Sequence, residues 1–120
     1  MKLFKSNSSE DELGGQFGLL NAVALLKSNV EIGNFLQDLC TPAEIQAMAD
    51  RWRVVVLIKQ GVSYRDIHAA TGVSLTTISR VARYISFGTG SYNLIYDRVL
   101  KTHDNKSKNQ NCAPEKRASK

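Results

Sequence analysis

Apolar residues recur three and four positions apart through most of residues 16–100, and strict alternation of apolar and polar residues is missing. The three-to-four spacing puts apolar side chains on one face of a helix, whereas a strand needs a period of two. The sequence therefore predicts an all-α fold of about six short helices. We predict N-terminal helices within residues 1–40, a helical core over residues 41–101 and a disordered tail over residues 102–120.

Capping residues mark where the central helices begin and end. Thr41-Pro42-Ala43-Glu44 combines a threonine N-cap, a proline at the first helical position and a glutamate at the third. Gly61 predicts the end of that helix near residue 60, and Ser63-Tyr64-Arg65-Asp66 predicts a second capping box and a short helix to about Ala70. The inward face of the longer helix is predicted to contain Ile45, Met48, Ala49, Trp52, Val55 and Val56.

The two ends of the chain carry weaker signals. Ser28-Asn29 predicts a break between two N-terminal helices, at about residues 13–28 and 30–39. After the break at Gly88-Thr89-Gly90, Ser91 is a predicted cap for a last helix that ends near Leu100. From His103 onward the chain is rich in Asn, Lys, Ser and Gln, too polar to bury much surface, so we predict a disordered basic tail.

The segment Ser63–Arg83 has the outline of a helix-turn-helix. Gly72 can adopt a positive φ at the turn, and Ile67, Val73 and Ile78 are spaced to fill the wedge between two crossing helices. The second helix is predicted to expose a mostly polar face that contains Ser74, Leu75, Thr76, Thr77, Ser79, Arg80 and Arg83. Such a face can contact base edges and phosphates. The alternatives are a helical hairpin with a solvated outer face, or a helical module for protein contacts.

Charge and chemistry favour nucleic acid over catalysis. Residues 1–40 carry three basic and five acidic side chains, residues 41–100 seven and four, and residues 101–120 six and two. A basic surface attracts DNA through counterion release. No nucleophile has an evident base partner, no short-spaced metal-ligand set occurs, and Cys40 and Cys112 lack CxxC spacing. We expect a cytoplasmic protein without enzymatic activity, bound metal or membrane segment.

Several of these motifs together resemble the Trp repressor superfamily, and more closely its TrpR-related, YerC/YecD-type branch. The residues that carry the resemblance to the superfamily are Thr41–Glu44, Arg51–Val55, Gly61, Ser63, Arg65–Ile67, Gly72 and Thr77–Arg80. The resemblance to the branch is carried by the stretch from Ser63 through Tyr84 and by Phe87–Gly90. The resemblance implies an intertwined homodimer in which the N-terminal helices of one chain pack on those of the other. Its two recognition helices would read successive major grooves about 34 Å apart on a palindromic operator of double-stranded DNA.

The resemblance also assigns DNA contacts and an effector site. The family's DNA-contacting positions fall on Arg65, His68, Leu75, Thr76, Thr77 and Ser79. Its ligand-binding positions correspond to Thr41, Arg51 and Arg80.

The space for a ligand is reduced in this sequence. Val81 and Tyr84 stand where the family has a small glycine and a serine. They would overfill the slot for a planar ring at a cost of roughly 1–3 kcal/mol, which argues against L-tryptophan as a cofactor. Arg51 and Arg80 can instead pair with a carboxylate, contact DNA phosphate or hold a different anion. A sensor of aromatic amino acids is the alternative.

Overall fold

The computed structural model describes residues 13–118, with side chains through Ser107. Within this range the chain forms helices and no strand. The six helices are α1 (Gly15–Ala24), α2 (Asn29–Leu39), α3 (Pro42–Lys59), α4 (Tyr64–Thr71), α5 (Leu75–Phe87) and α6 (Ser91–Ala118). The prediction of an all-α fold with about six helices is confirmed.

The chain divides into two compact units, one up to Gln46 and one from Ala47 onward, so that the boundary lies within α3. In the first unit, Ser28 separates α1 from α2, and its Oγ accepts a hydrogen bond from the Glu31 amide at 3.1 Å. The predicted break at Ser28-Asn29 is therefore confirmed.

The predicted capping box at the start of α3 is also present in the first unit. Thr41 Oγ1 accepts from the Glu44 amide at 3.2 Å, and Glu44 Oε1 accepts from the Thr41 amide at 2.8 Å. The backbone hydrogen bond from Thr41, followed by the interaction with the Thr41 side chain, lowers the pKa of the Glu44 carboxyl below its usual 4.5. Both bonds satisfy donors that a helix N-terminus leaves free.

The core of the second unit lies where α3, α4 and α5 meet. Its buried members are Val54, Val55, Ile67, Ile78 and Val81. Trp52 is half-buried against this cluster. The prediction that Met48 and Ala49 face inward is wrong, since both are exposed. The residues of α3 that reach the core are in its C-terminal half, where α4 and α5 can cover them.

Glycine ends α3 where the sequence predicts. Gly61 has φ 84°, its amide donates to the Ile58 carbonyl at 3.0 Å, and the Val62 amide donates to the Leu57 carbonyl at 3.1 Å. These two bonds are those of a Schellman motif, which satisfies the last carbonyls of a helix. The turn places Ser63 at the start of α4, where its Oγ accepts from the Asp66 amide at 3.1 Å.

Helix α6 differs from its prediction at both ends. Ser91 is the first residue of the helix and not the cap that precedes it. The Ser91 amide donates a hydrogen bond to Thr89 Oγ1 at 3.4 Å. The helix continues to Ala118, past the predicted end near Leu100 and through most of the segment predicted to be disordered. No glycine follows Ser91, and a helix can satisfy its backbone groups internally without burying side chains.

Candidate nucleic-acid interface

The second unit contains the helix-turn-helix, in which three residues join α4 to α5. Gly72 adopts φ 75° and ψ 0°, and its amide donates to the His68 carbonyl at 2.9 Å. This left-handed conformation strains any residue with a Cβ and is readily adopted by glycine. It ends α4 at Thr71 and turns the chain sharply into α5, as the sequence predicts.

The wedge between the two helices is apolar. Ile67 and Ile78 are completely buried, and Val73 is half-buried against them. Hydrogen bonds from α4 hold the turn in place: Thr71 Oγ1 donates to the Ile67 carbonyl at 2.6 Å and accepts from the Val73 amide at 3.1 Å. His68 Nδ1 lies 2.7 Å from the Val73 carbonyl oxygen. The apolar wedge is confirmed, whereas the role of Thr71 was not anticipated.

Ser74 caps α5, as predicted. Its Oγ accepts from the Thr77 amide at 3.2 Å and donates to Thr77 Oγ1 at 3.0 Å. Thr77 is half-buried. Its hydroxyl therefore stabilises the start of the helix and is the least accessible of the predicted DNA-contacting groups.

The other predicted contact residues form one exposed surface, which we call the reading face. Exposed side chains on α5 are Leu75, Thr76, Ser79, Arg80 and Arg83, and on α4 they are Arg65 and His68. Ile78 and Val81 on α5 are buried. Because burial of these two fixes the rotation of the helix about its axis, the hydroxyl and guanidinium groups are left on the outside.

The two arginines predicted to bind an effector or anion line one cavity. It has a volume of about 230 Å³, lies among α3, α5 and α6, and is bounded by Arg51, Thr77, Arg80, Val81, Tyr84 and Tyr92. The Arg80 guanidinium lies over the Tyr84 ring, 5.7 Å from its centroid, a geometry suited to a cation–π interaction. Tyr92 was not anticipated, because only the fold brings α6 to this position.

The remaining effector candidate, Thr41, caps α3 in the first unit, as described above. Within the residues that the structure describes, no group of His, Cys, Asp and Glu is arranged to hold a metal ion. In the same part of the chain, no helix is long and apolar enough to cross a membrane.

Lys59 and Asn93 connect α6 to α3 and α5. Lys59 Nζ donates to Asn93 Oδ1 at 2.8 Å and lies 5.7 Å from the centre of the Tyr96 ring, while Asn93 Nδ2 donates to the Ile85 carbonyl at 3.0 Å. These contacts attach the C-terminal end of α5 to α6 and, through Asn93, to Lys59 of α3. Sequence reasoning missed both polar residues, because neither carries a local motif.

Comparison with known proteins identifies the family. The family model described as "Trp repressor protein" matches residues 17–100. The chain belongs to the Trp repressor family. The match begins in α1 and ends in α6, so this Trp repressor family member carries the family's pattern in both of its compact units.

Individual relatives agree with this assignment. The chain is 39% identical over 89 residues to YerC of Bacillus subtilis (strain 168), an uncharacterised protein, covering 74% of this chain and 86% of YerC. A TrpR-like protein from Eubacterium eligens ATCC 27750 superimposes with a TM-score of 0.67 and 33% identity, over 74% of this chain and 94% of that one. A candidate Trp repressor from Staphylococcus aureus superimposes with a TM-score of 0.68 and 36% identity, over 78% of this chain and 96% of that one.

Proposed function

We propose that this Trp repressor family member is a sequence-specific DNA-binding regulator of transcription. It acts in the cytoplasm as a homodimer that occupies a palindromic operator and blocks transcription. The observation that carries the proposal is the reading face, a surface of hydroxyl and guanidinium groups on α5 that is turned outward because Ile78 and Val81 are buried. The proposal needs no catalytic step and no bound metal.

In this mechanism, the first turns of α5 enter the major groove. Thr76 and Ser79 hydrogen-bond base edges directly or through water, and Leu75, which is 51% exposed, contacts a thymine methyl group. Arg65 and Arg83 lie exposed beside them and bind phosphates or a guanine edge. Specificity therefore comes from the short side chains, and affinity comes mostly from the arginines.

The homodimer is supported by apolar residues that a single chain leaves uncovered. In the first unit Leu25, Val30 and Leu39 are 73%, 72% and 53% exposed, and in α6 Leu94 and Val99 are 50% and 46% exposed. Concentrations of exposed apolar residues mark protein interfaces, and a two-fold symmetric dimer pairs such a surface with itself. Sedimentation equilibrium should give the mass of two chains, and Val30→Asp should shift the equilibrium toward one chain.

We propose that no tryptophan is needed for this activity. Val81 is only 2% exposed and belongs to the core, and Tyr84 already places its ring against Arg80. At about 230 Å³ the cavity is smaller than the roughly 300–1,000 Å³ of most ligand pockets. Calorimetry with L-tryptophan should show no binding. Heat of binding that is lost in Arg80→Ala would favour the alternative, a sensor of aromatic amino acids.

The DNA-binding proposal is tested by selecting bound sequences from a random duplex pool. We expect one palindromic consensus with half-sites about 10 base pairs apart. Thr76→Ala should broaden the selected consensus, whereas Lys101→Ala, at an exposed position of α6, should leave it unchanged. Equal effects of the two variants contradict specific reading by α5. Absence of binding at low salt favours the other alternative, a helical module for protein contacts.

A further inference from the structure

His68 is the one imidazole of the reading face, whose other members are hydroxyls, an alkyl group and arginines. An imidazole ring can accept a proton and become an imidazolium ion. His68 lies in the last turn of α4, and its Nδ1 is 2.7 Å from the carbonyl oxygen of Val73 in the turn. A carbonyl oxygen only accepts hydrogen bonds, so Nδ1 must carry a proton and donate it. The turn therefore fixes the tautomer of the neutral ring.

This tautomer determines what the second ring nitrogen can do. With the proton on Nδ1, Nε2 of the neutral ring carries a lone pair and can only accept. His68 is exposed, and Nε2 has no hydrogen-bond partner among the described residues. A phosphate diester offers only acceptor oxygens, so the neutral ring has no hydrogen bond to give it. The imidazolium ion keeps the bond to Val73 and also donates from Nε2.

No acidic side chain of α4 or α5 lies beside His68. On α4, Arg65 is one turn earlier on the same face, while Asp66 is two positions away and faces elsewhere. On α5, which packs against α4, the first turn carries no acidic residue, and the first charged side chain is Arg80. No carboxylate on these two helices lies where it could stabilise the imidazolium ion. A DNA phosphate that accepts a hydrogen bond from Nε2–H would stabilise it.

We infer that His68 binds a DNA phosphate through Nε2–H only as the imidazolium ion, so that DNA binding takes up a proton at each reading face. This inference rests on the proposed function. Contact with DNA stabilises the protonated form, because only that form donates from both ring nitrogens. Because protons are taken up, DNA affinity rises as the pH falls.

The test measures affinity for a mixed-sequence duplex of about 20 base pairs at low salt, between about pH 6 and about pH 8. For the wild type we expect affinity to rise about tenfold per chain at the acid end, as expected for one charge-assisted hydrogen bond. In His68→Asn, the amide nitrogen takes the place of Nδ1 and nothing replaces Nε2. This variant should keep the turn and, at every pH, bind DNA with the lower affinity that the wild type shows at about pH 8.

Two further variants and one spectrum complete the test. His68→Lys supplies a permanent cation and should bind strongly at every pH, while His103→Asn, which removes the other histidine of the chain, should keep the wild-type profile. Nitrogen chemical shifts of the free protein should show Nδ1–H in the neutral form of the His68 ring. A pH slope that survives in His68→Asn, or an Nε2–H tautomer, overturns the inference. Failure of the proposed function is distinguishable, because the duplex would then stay unbound at every pH.

Discussion

Substitution of Gly72 tests directly how the turn of the helix-turn-helix is formed. The residue has φ 75°, and a Cβ built on it would have no neighbour within 4 Å. The cost of Gly72→Ala is therefore conformational and not steric. A left-handed alanine costs about 1–2 kcal/mol, and alanine returns about 0.4–1 kcal/mol by restricting the unfolded chain. We expect a net loss of about 1 kcal/mol.

Gly33 is a matched control for this substitution. It lies inside α2 with a helical φ, and a Cβ there also has no neighbour within 4 Å. The same chemical change should stabilise the protein by about 0.5–1 kcal/mol, because glycine weakens helix interiors. Gly72→Asn should lose less stability than Gly72→Ala, since asparagine adopts the left-handed region more readily.

The assay is thermal unfolding at one fixed protein concentration, because self-association would make the midpoint depend on concentration. About 1 kcal/mol corresponds to about 4 °C in a domain of this size. The midpoint should fall by about 4 °C in Gly72→Ala and rise by about 2–4 °C in Gly33→Ala. Equal shifts of the same sign in the two variants would refute the claim that a positive φ at Gly72 forms the turn.

The other predictions concern the core, the N-cap of α3 and the contact of Asn93 with the C-terminal end of α5. In chemical denaturation, Ile78→Ala should lower the free energy of unfolding by about 2–5 kcal/mol, because Ile78 is buried. Leu75 is half-exposed, so Leu75→Ala should lower it by less than about 0.5 kcal/mol. Similar losses in the two variants contradict the assigned rotation of α5. Thr41→Ala should cost about 1 kcal/mol. Because the pKa of the Glu44 carboxyl is lowered in the folded state, its ionised form stabilises that state above pH 4.5, and this contribution is lost as the pH falls through the folded-state pKa. The difference in stability between the wild type and Glu44→Gln should therefore shrink in acid. A difference that stays constant with pH contradicts this. Asn93→Ala should speed hydrogen exchange at the C-terminal end of α5, and unchanged exchange would contradict a role of Asn93 in holding that end of the helix.

Local chemistry made much of the fold predictable. Gly61, Gly72 and the caps at Thr41, Ser63 and Ser74 act within a few residues of themselves, so their effects can be read from neighbouring sequence. The same holds for the rotation of α5, which follows from apolar spacing alone. The reading face could therefore be proposed before the structure was known.

Features that depend on distant residues could not be predicted. Met48 fits the apolar stripe of α3, yet it is 41% exposed because the core covers only the C-terminal half of that helix. Lys59 and Asn93 are 34 positions apart and meet only when α6 packs beside α3. The His68 bond to Val73 depends on the shape of the turn, which sequence spacing does not specify in atomic detail. Helical backbone bonding in α6, which needs no burial, was likewise hidden by the polarity of the segment.

The most direct test of the central claim is to map which protein groups lie against DNA. Cross-saturation from the protons of a bound duplex to the protein, observed by NMR, reports such contact residue by residue. We expect the strongest transfer to Leu75, Thr76 and Ser79, with none to the buried Ile78. Transfer confined to α6, with none to the first turns of α5, would contradict the account.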